Sequence, residues 1–490
     1  MARFVVAGLG QDGSVDEFNE FGRVIAVVAL AFALAVSVRV FAERLSLPTA
    51  ALLLVVAAVL SDVFTGLHDA LSIADVQRIT TVALIVILFD GGMHMGWRKV
   101  RASAVPILST GVLGTFATAA LVALAAHVLL DLSWTVSWLI GAALAPTDPA
   151  VTFSVLGGRE VRGRSGTILE GESGFNDPVG IALMIGMVEY ATSDDGSVAG
   201  VLGEFALEMA VGLVAGIAGG ALMLGVMRRL PLPDVPLYPL RVLALAGLVY
   251  GVASVLHGSG FLAVFVAGIL IGDAAAPHKG EIERFHSSLA SLAEIAAFIA
   301  LGVTVDLTFI ADGGLWADGL LLAALLGFVI RPLAIGGLLL PVRLSWRERG
   351  FVMWSGLKGA VPILLASLAV VGGTEYAAEI YGIVFVVVLF SVVVQGTSVP
   401  YVASRLHIPM RRVEPLTFEV RTFVVGQETI AEGAAVRSLP LAERAWISEI
   451  ERDGRQISVS GATTLHPGDQ VHVFCEEADA PAVRRIFEGR

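Results

Sequence analysis

Long apolar runs recur along most of the chain and alternate with short polar segments. Most runs are long enough for a helix to cross the roughly 30 Å hydrocarbon core of a bilayer. They are continuous stretches of Leu, Val, Ala and Gly, whereas a transmembrane β-barrel would show alternating segments of about ten residues. The pattern therefore predicts about thirteen helical spans. Their cores are Val24–Phe41, Thr49–Val63, Ile79–Met95, Ala104–Leu130, Trp134–Leu156, Gly166–Val188, Val198–Met227, Leu240–Leu256, Phe261–Gly272, Leu289–Val305, Leu315–Leu340, Gly350–Val371 and Ala377–Tyr401.

Composition supports an all-α polytopic membrane protein. The 490 residues are 56% hydrophobic and 16% charged, whereas soluble domains are about 45–50% apolar and about 25% charged. This apolar excess also excludes a disordered chain. The single cysteine, Cys475, excludes an internal disulfide framework. A net charge of −12 argues against nucleic acid as a partner.

Basic residues concentrate in alternate loops, for example at Arg98-Lys99 and Arg228-Arg229, and the intervening loops are mainly acidic. Short loops rich in Lys and Arg face the cytoplasm. The first connecting loop and the C-terminal tail then lie on the same side, which requires an odd number of spans and an external N-terminus. Residues 1–22 are predicted to be an external leader, and residues 23–404 the transmembrane domain.

The pattern of the chain changes after Arg412. Residues 405–415 are predicted to be a linker, and residues 416–490 are polar with alternating runs such as Gln470–Phe474. Such runs, bounded by turns such as Pro467-Gly468-Asp469, are typical of strands. The sequence therefore predicts a small cytoplasmic α+β domain after the membrane domain.

Ionisable side chains inside a span are costly, so each one is a candidate functional residue. The sixth predicted span contains Glu172-Ser173-Gly174-Phe175-Asn176-Asp177-Pro178. Helical spacing places Ser173 and Asp177 on one face, with Glu172 and Asn176 on the neighbouring stripe. A carboxylate at low dielectric favours its neutral form, and a bound cation favours the charged form. This competition is what an exchanger requires; a carboxylate fixed by a salt bridge for packing is the alternative, stronger for Glu172 than for Asp177.

Two predicted spans are interrupted. The fifth contains Pro146-Thr147-Asp148-Pro149, and the twelfth contains Ser355–Pro362 with two glycines and a proline. Proline removes helical hydrogen bonds, and non-helical backbone at membrane depth is tolerated where it lines a cavity or is buried in protein. Interrupted spans in corresponding halves indicate a transporter with inverted repeats and a site at the midplane. A simple kink is the alternative for either span alone.

Three further charges lie within spans: Asp90 in the third, Arg331 in the eleventh and Lys358 in the break of the twelfth. A buried arginine requires a carboxylate partner, and Glu172 is the predicted one. Lys358 is interpreted as a counter-charge for helix ends at the broken crossing. The sequence shows no Ser-His-Asp set, Walker loop or metal-ligating His pair, so a transporter is predicted rather than an enzyme.

These elements resemble those of monovalent cation:proton antiporters of the NhaP and sodium/hydrogen exchanger type. The resemblance is most specific to the bacterial potassium/proton antiporters called cell volume regulation protein A. The Glu-Ser-x-x-Asn-Asp-Pro element at 172–178 is the most discriminating feature. Leu439-Pro440-Leu441 and Thr464–Asp469 resemble the C-terminal lobe of regulator of K⁺ conductance (RCK) domains, with no nucleotide-binding lobe before it. Other matching segments are Leu88–Met93, Thr147-Asp148, Ser259–Gly272, Arg331-Pro332, Trp354–Pro362 and Leu389–Ser398.

The resemblance implies 13 helices in an inverted-repeat fold with two broken crossing helices, usually as a homodimer in membrane lipid. It implies that Asp177 is the exchanging carboxylate, and that Asn176 beside it accompanies electroneutral, one-for-one exchange. The other residues implied at or beside the site are Ser173, Asp148, Thr147 and Asp90 around the ion, with Glu172 and Arg331 as a supporting ion pair. Two departures are Asp90, where many relatives have Glu, and Lys358, where the motif usually has Arg.

The predicted function is an inner-membrane antiporter that exports K⁺, or alternatively Na⁺, in exchange for H⁺. No cofactor is expected, although a nucleotide-type ligand is a candidate regulator of the C-terminal domain. A ligand-gated K⁺ channel is the rival class, but channel filters use rings of carbonyls or charged side chains and no TVGYG-like loop is present. A receptor or scaffold would not require two broken spans and a buried Asn-Asp pair.

Overall fold

The structure, a computed structural model, describes residues 48–412 and 418–489 apart from short gaps, together with residues 33, 36 and 37. The gaps are residues 64–70, 149–150, 153–155, 157–158, 162, 194–196, 275, 442–444, 453–454, 458 and 477–478. The chain divides into two compact units, Met1–Arg412 and Val413–Arg490. The predicted leader, residues 1–22, and most of the first predicted span, Val24–Phe41, lie outside the described residues.

The first unit is predominantly helical, as the continuous apolar runs predict. Its described helices are α1 (Thr49–Val63), α2 (Ile73–Ala102), α3 (Ala104–Leu130), α4 (Trp134–Leu144), α5 (Arg164–Thr192), α6 (Val198–Arg229), α7 (Leu237–Val255), α8 (Gly260–Gly272), α9 (Lys279–Val303), α10 (Leu307–Asp312), α11 (Leu315–Leu338), α12 (Trp346–Trp354), α13 (Ala360–Val371) and α14 (Ala377–Arg405).

Seven helices in the described part of the chain are long and apolar enough to cross a membrane, namely α2, α3, α6, α7, α9, α11 and α14. Helix α5 has 29 residues but carries the polar Glu172–Pro178 element. Helices α4 and α13 have only 11 and 12 residues, because the apolar runs Trp134–Leu156 and Gly350–Val371 are interrupted where the sequence predicts. The protein is therefore a mostly helical membrane protein, as predicted.

Close packing joins α2, α8 and α5 around the polar element. A Cβ atom at Gly268 of α8 would lie 2.5 Å from the Phe89 carbonyl oxygen of α2, so the two backbones meet where only glycine fits. One turn earlier on α8, the ring of Phe265 packs against Phe175 of α5, with ring centroids 5.4 Å apart in an edge-to-face arrangement. This packing fixes α5 against α8.

Two short strands of the first unit include residues 410–412 of the predicted linker. Strand β1 (Arg159–Val161) pairs antiparallel with β2 (Met410–Arg412). The start of the predicted linker 405–415 is therefore ordered as part of the first unit, because its backbone groups pair with β1 rather than with water. Residues 413–417 lie outside the described part of the chain.

The second unit is the predicted small α+β domain. Its strands are β3 (Phe418–Val424), β4 (Trp446–Arg452), β5 (Arg455–Ile457) and β6 (Gln470–Glu476), in the sheet order β3-β6-β4-β5 with antiparallel neighbours. Helix α15 (Ala480–Glu488) follows β6 and completes a separate hydrophobic core with the sheet. Phe423, Val471 and Phe487 are almost fully buried in this core.

An ion pair holds the turn before β6. The Arg452 guanidinium donates from Nε to Asp469 Oδ1 and from Nη2 to Asp469 Oδ2, both at 2.7 Å. The backbone N–H of His466 also donates to Asp469, and Gly468 adopts a positive φ of 91°. Burial raises the pKa of Asp469, but the hydrogen bonds from Arg452 and His466 outweigh it, so the pKa lies below its usual value of 3.8.

Candidate functional site

The first break follows α4. The helix ends at Leu144, residues 145–148 are non-helical, and Val151 and Thr152 are helical again. Pro146 cannot donate a backbone hydrogen bond, and the last carbonyl groups of a helix have no partner within it. The break therefore leaves carbonyl oxygens available inside the protein.

The second break separates α12, which ends at Trp354, from α13, which begins at Ala360. Residues 355–359, with the sequence Ser-Gly-Leu-Lys-Gly, are buried in this gap. Lys358 is only 1% exposed. A buried ammonium group requires hydrogen-bond acceptors, and the first break supplies them.

The two breaks cross and are hydrogen-bonded directly to each other. The Lys358 Nζ atom donates to the carbonyl oxygens of Ala145 at 2.9 Å and Pro146 at 2.8 Å. The backbone N–H of Asp148 donates to the Leu357 carbonyl oxygen at 2.7 Å. Lys358 thus lies at the C-terminal end of α4, where the helix dipole favours a positive charge, and this is the position that the sequence predicts.

Helix α5 brings its polar element to the first break. Ser173 Oγ donates to the Thr147 carbonyl oxygen, and Asn176 Nδ2 donates to Thr147 Oγ1 at 2.7 Å. Asp177 is 6% exposed, and its Oδ1 atom is buried without a hydrogen-bond partner among the described residues. The charges that act on Asp177 are those of Asp148 and Lys358. The structure therefore brings together Thr147, Asp148, Ser173, Asn176, Asp177 and Lys358.

A buried ion pair supports the other stripe of α5. Arg331 Nη1 lies 2.8 Å from Glu172 Oε1, and the two side chains are 3% and 2% exposed. Arg331 also donates from Nε to the Met353 carbonyl oxygen and from Nη2 to that of Val352, at 2.8 and 3.2 Å. The pair predicted between the sixth and eleventh spans is thus present, and it also holds the end of α12.

Asp90 lies with a different set of groups. Ser287 Oγ of α9 donates to Asp90 Oδ1 at 3.0 Å, and His94 Nδ1 lies 3.4 Å from Asp90 Oδ2. The buried His286 and the carboxylate of Glu283 also act on Asp90. The contacts found for Asp90 are with α2 and α9, not with the crossing, so its predicted part in the ion site stays a prediction.

Three π-helical turns adjoin the site and were not predicted. The turn in α11 ends immediately before Arg331, and the turn in α14 begins at Ser391. Ser391 Oγ accepts the backbone N–H of Lys358 at 2.9 Å and donates to Gln395 Oε1 at 2.7 Å. Ser391 and Gln395 are polar residues within a largely apolar run of α14, and this is the sequence signal that could have identified them. The turns are Ser109–Leu113, Leu326–Ile330 and Ser391–Gly396.

Comparison with known proteins agrees with the predicted resemblance. The family described as sodium/hydrogen exchanger, transmembrane, matches residues 28–405, and the TrkA-C domain matches residues 420–488. The K(+)/H(+) antiporter NhaP of Alkalimonas amylolytica is 32% identical over 427 residues, which cover 84% of this chain and 73% of that protein. The K(+)/H(+) antiporter NhaP2 of Shewanella sp. (strain ANA-3) is 29% identical over 489 residues, covering 96% and 84%.

The fold is also found in solved structures. The sodium proton antiporter MjNhaP1 from Methanocaldococcus jannaschii superposes with a TM-score of 0.68 at 23% identity, covering 79% of this chain and 99% of MjNhaP1. At this identity the similarity shows the fold alone. Together with the sequence matches, it establishes that the chain belongs to the sodium/hydrogen exchanger family and carries a TrkA-C domain.

Proposed function

We propose that the protein is a secondary antiporter that exchanges cytoplasmic K⁺ for H⁺, with Asp177 binding the two ions in turn. The observation that carries this proposal is the buried Asp177 Oδ1 atom, which has no hydrogen-bond partner within the described ranges. An unpaired buried carboxylate is strongly unfavourable as an anion. It requires a proton or a cation, and the two compete for the same charge.

The first break supplies further oxygen ligands for a dehydrated cation. The proposed cation site consists of Asp177, the Ser173 hydroxyl, the Asp148 carboxylate and the Thr147 oxygens. Oxygen donors suit hard cations, and hydrogen bonds from neighbouring groups to these oxygens orient them. The Asn176 amide donates to the Thr147 hydroxyl, so it orients a ligand without adding charge.

The proposal includes an architecture that supports alternating access. In this architecture the protein has thirteen spans in two inverted repeats, with an external N-terminus and a cytoplasmic C-terminus, and it forms a homodimer in the cell inner membrane. The alternation of basic and acidic loops and the crossing of two broken helices support this arrangement. The crossing moves as one body and exposes Asp177 to each side in turn.

The C-terminal domain is proposed to regulate the exchange. Val413–Arg490 is a compact unit with its own hydrophobic core, separate from that of the helices. A nucleotide-type ligand that binds this domain is the proposed regulator. The ligand regulates the exchange of ions but is not itself exchanged.

K⁺ is proposed as the exported cation because NhaP of Alkalimonas amylolytica and NhaP2 of Shewanella sp. (strain ANA-3), which match 84% and 96% of the chain, are named K(+)/H(+) antiporters. Na⁺ is the second candidate, since MjNhaP1 is named a sodium proton antiporter. The choice between K⁺ and Na⁺ depends on the size of the cavity that the oxygen ligands form rather than on any one side chain.

The test is cation-dependent proton flux in proteoliposomes that contain the purified full chain and a pH-sensitive dye. Addition of KCl or NaCl to acid-loaded vesicles is expected to release protons, with and without a clamp of the membrane potential. Asp177→Asn is expected to abolish this flux at normal abundance, because the amide cannot exchange a proton for a cation. The matched control is Asp234→Asn, which neutralises an exposed carboxylate and should behave as wild type. Near-normal exchange by Asp177→Asn would refute the proposal.

A further inference from the structure

Three consecutive residues of the second break hold Asp148. The Leu357 carbonyl oxygen accepts its backbone N–H at 2.7 Å. The Lys358 ammonium group holds the two carbonyl groups at the start of the first break, which also contains Asp148, including that of Ala145 at 2.9 Å. Gly359 provides the space that the Asp148 side chain occupies. The tripeptide Leu357-Lys358-Gly359 thus fixes the segment that carries Asp148 in three ways. Leu357 accepts a backbone hydrogen bond, Lys358 supplies a charged donor, and Gly359 leaves space for the side chain.

The space at Gly359 is filled by the Asp148 side chain itself. A Cβ atom at Gly359 would lie 2.5 Å from Asp148 Cβ and 2.6 Å from Cγ, and would overlap Oδ2 still more closely. Gly359 is buried, and its φ of −110° lies outside the left-handed region. Glycine is therefore required here for space and not for backbone conformation.

We propose that Gly359 is a positioning residue of the cation site, which sets where the Asp148 carboxylate lies relative to Asp177. The inference rests on the proposed function, in which Asp148 is a cation ligand. An alanine at 359 forces the carboxylate carbon to withdraw by about 1 Å to reach ordinary contact distance. Binding constellations tolerate displacements of about 0.5 Å, so the cation loses a ligand at its proper distance.

The expected signature is a change in cation binding rather than in turnover. Gly359→Ala leaves the Asp177 carboxylate in place, so protonation and the movement of the crossing remain. The apparent KM for K⁺ should rise about tenfold or more while the maximal rate stays within about twofold. The ratio of KM values for K⁺ and Na⁺ should also change, because the two ions need different ligand distances.

The experiment compares four variants of the full chain in proteoliposomes: Gly359→Ala, Asp148→Gly, the double variant and Gly337→Ala. Gly337 is the matched control, since a Cβ atom there meets nothing within 4 Å. Asp148→Gly should raise the KM by itself. The double variant should have the KM of Asp148→Gly alone, because glycine at 148 removes the whole side chain, including the Cβ atom that lies 2.5 Å from the new methyl group.

The outcomes separate the inference from the proposed function. A wild-type KM for Gly359→Ala, or effects that multiply in the double variant, would overturn the role of Gly359 while Asp148 remained a ligand. A wild-type KM for Asp148→Gly would instead overturn the proposed ligand set. If Gly359→Ala does not accumulate, accumulation of the double variant at the level of Asp148→Gly supports the inference, and its failure to accumulate overturns it.

Discussion

The buried pair of Glu172 and Arg331 provides a direct test of how the site is supported. The perturbation is a cycle of Glu172→Gln, Arg331→Met and the double variant. The charged atoms lie 2.8 Å apart, and the side chains are 2% and 3% exposed. Removal of one partner leaves the other charge buried and unpaired, which costs about 3–5 kcal/mol. Glu172→Gln should therefore destabilise the protein by about that amount.

Arg331→Met should cost more than Glu172→Gln because arginine has further partners. It removes the donors to the carbonyl groups of Met353 and Val352, at 2.8 and 3.2 Å. An unsatisfied buried carbonyl costs about 1–3 kcal/mol. The double variant retains that cost but contains no unpaired charge. Its destabilisation should be smaller than the sum of the two single effects by about 6 kcal/mol or more, because each single variant contains an unpaired charge that costs about 3–5 kcal/mol and the double variant contains none.

The assay is equilibrium unfolding of the purified protein by SDS in mixed micelles, followed by tryptophan fluorescence. The control is the same cycle for Asp75 and Arg78, an exposed pair at 3.0 Å near the start of α2. The coupling of this control pair should be close to zero, because water screens exposed charges. A coupling below about 1 kcal/mol between Glu172 and Arg331 would refute the reasoning, since the pair would then behave as if solvated.

Three further predictions concern other parts of the chain. Lys358→Met should lower protein stability by about 3 kcal/mol or more in the same assay, since two buried carbonyls lose a charged donor, and Lys358→Arg should lose less. A stop after Arg412 should shift the pH or ligand response of exchange in proteoliposomes without abolishing transport, and complete loss with normal insertion would contradict this. The lowered pKa of Asp469 means that its stabilisation is complete above the unfolded pKa and is lost as the pH falls through the lower folded pKa. Asp469→Asn should therefore lower the free energy of unfolding by about 2 kcal/mol at pH 7. It should also remove the loss of stability at low pH, as measured by urea unfolding of residues 413–490.

The sequence predicts the features that depend on strong local constraints. Apolar runs fix the helices because backbone groups in lipid must be satisfied internally, and the run Ala104–Leu130 has the bounds of α3. Proline and glycine fix the two breaks because they remove donors or side chains within a few residues. The Glu172–Arg331 pair is predictable because a buried arginine cannot remain without a carboxylate.

Features that depend on contacts between distant segments could not be predicted. Ser391 supports the second break only because a π-turn places its hydroxyl at the Lys358 N–H. Gly359 is one of 54 glycines, and its closeness to Asp148 is visible only once the two breaks cross. The partner of Asp90, Ser287, lies 197 positions away, and no local pattern links the two.

The charges at the crossing give a physical reason for the proposed one-for-one exchange. Among the described residues there, Asp148 and Asp177 are acidic and Lys358 is basic, whereas Asn176 and the supporting ion pair add no net charge. With both carboxylates ionised, the crossing carries one net negative charge, which either one K⁺ or one H⁺ neutralises. Burial penalises net charge, so in the proposed exchange the crossing moves most easily when loaded with either ion and least easily when empty. A carboxylate in place of Asn176 would add a second negative charge, and one monovalent ion would no longer neutralise it.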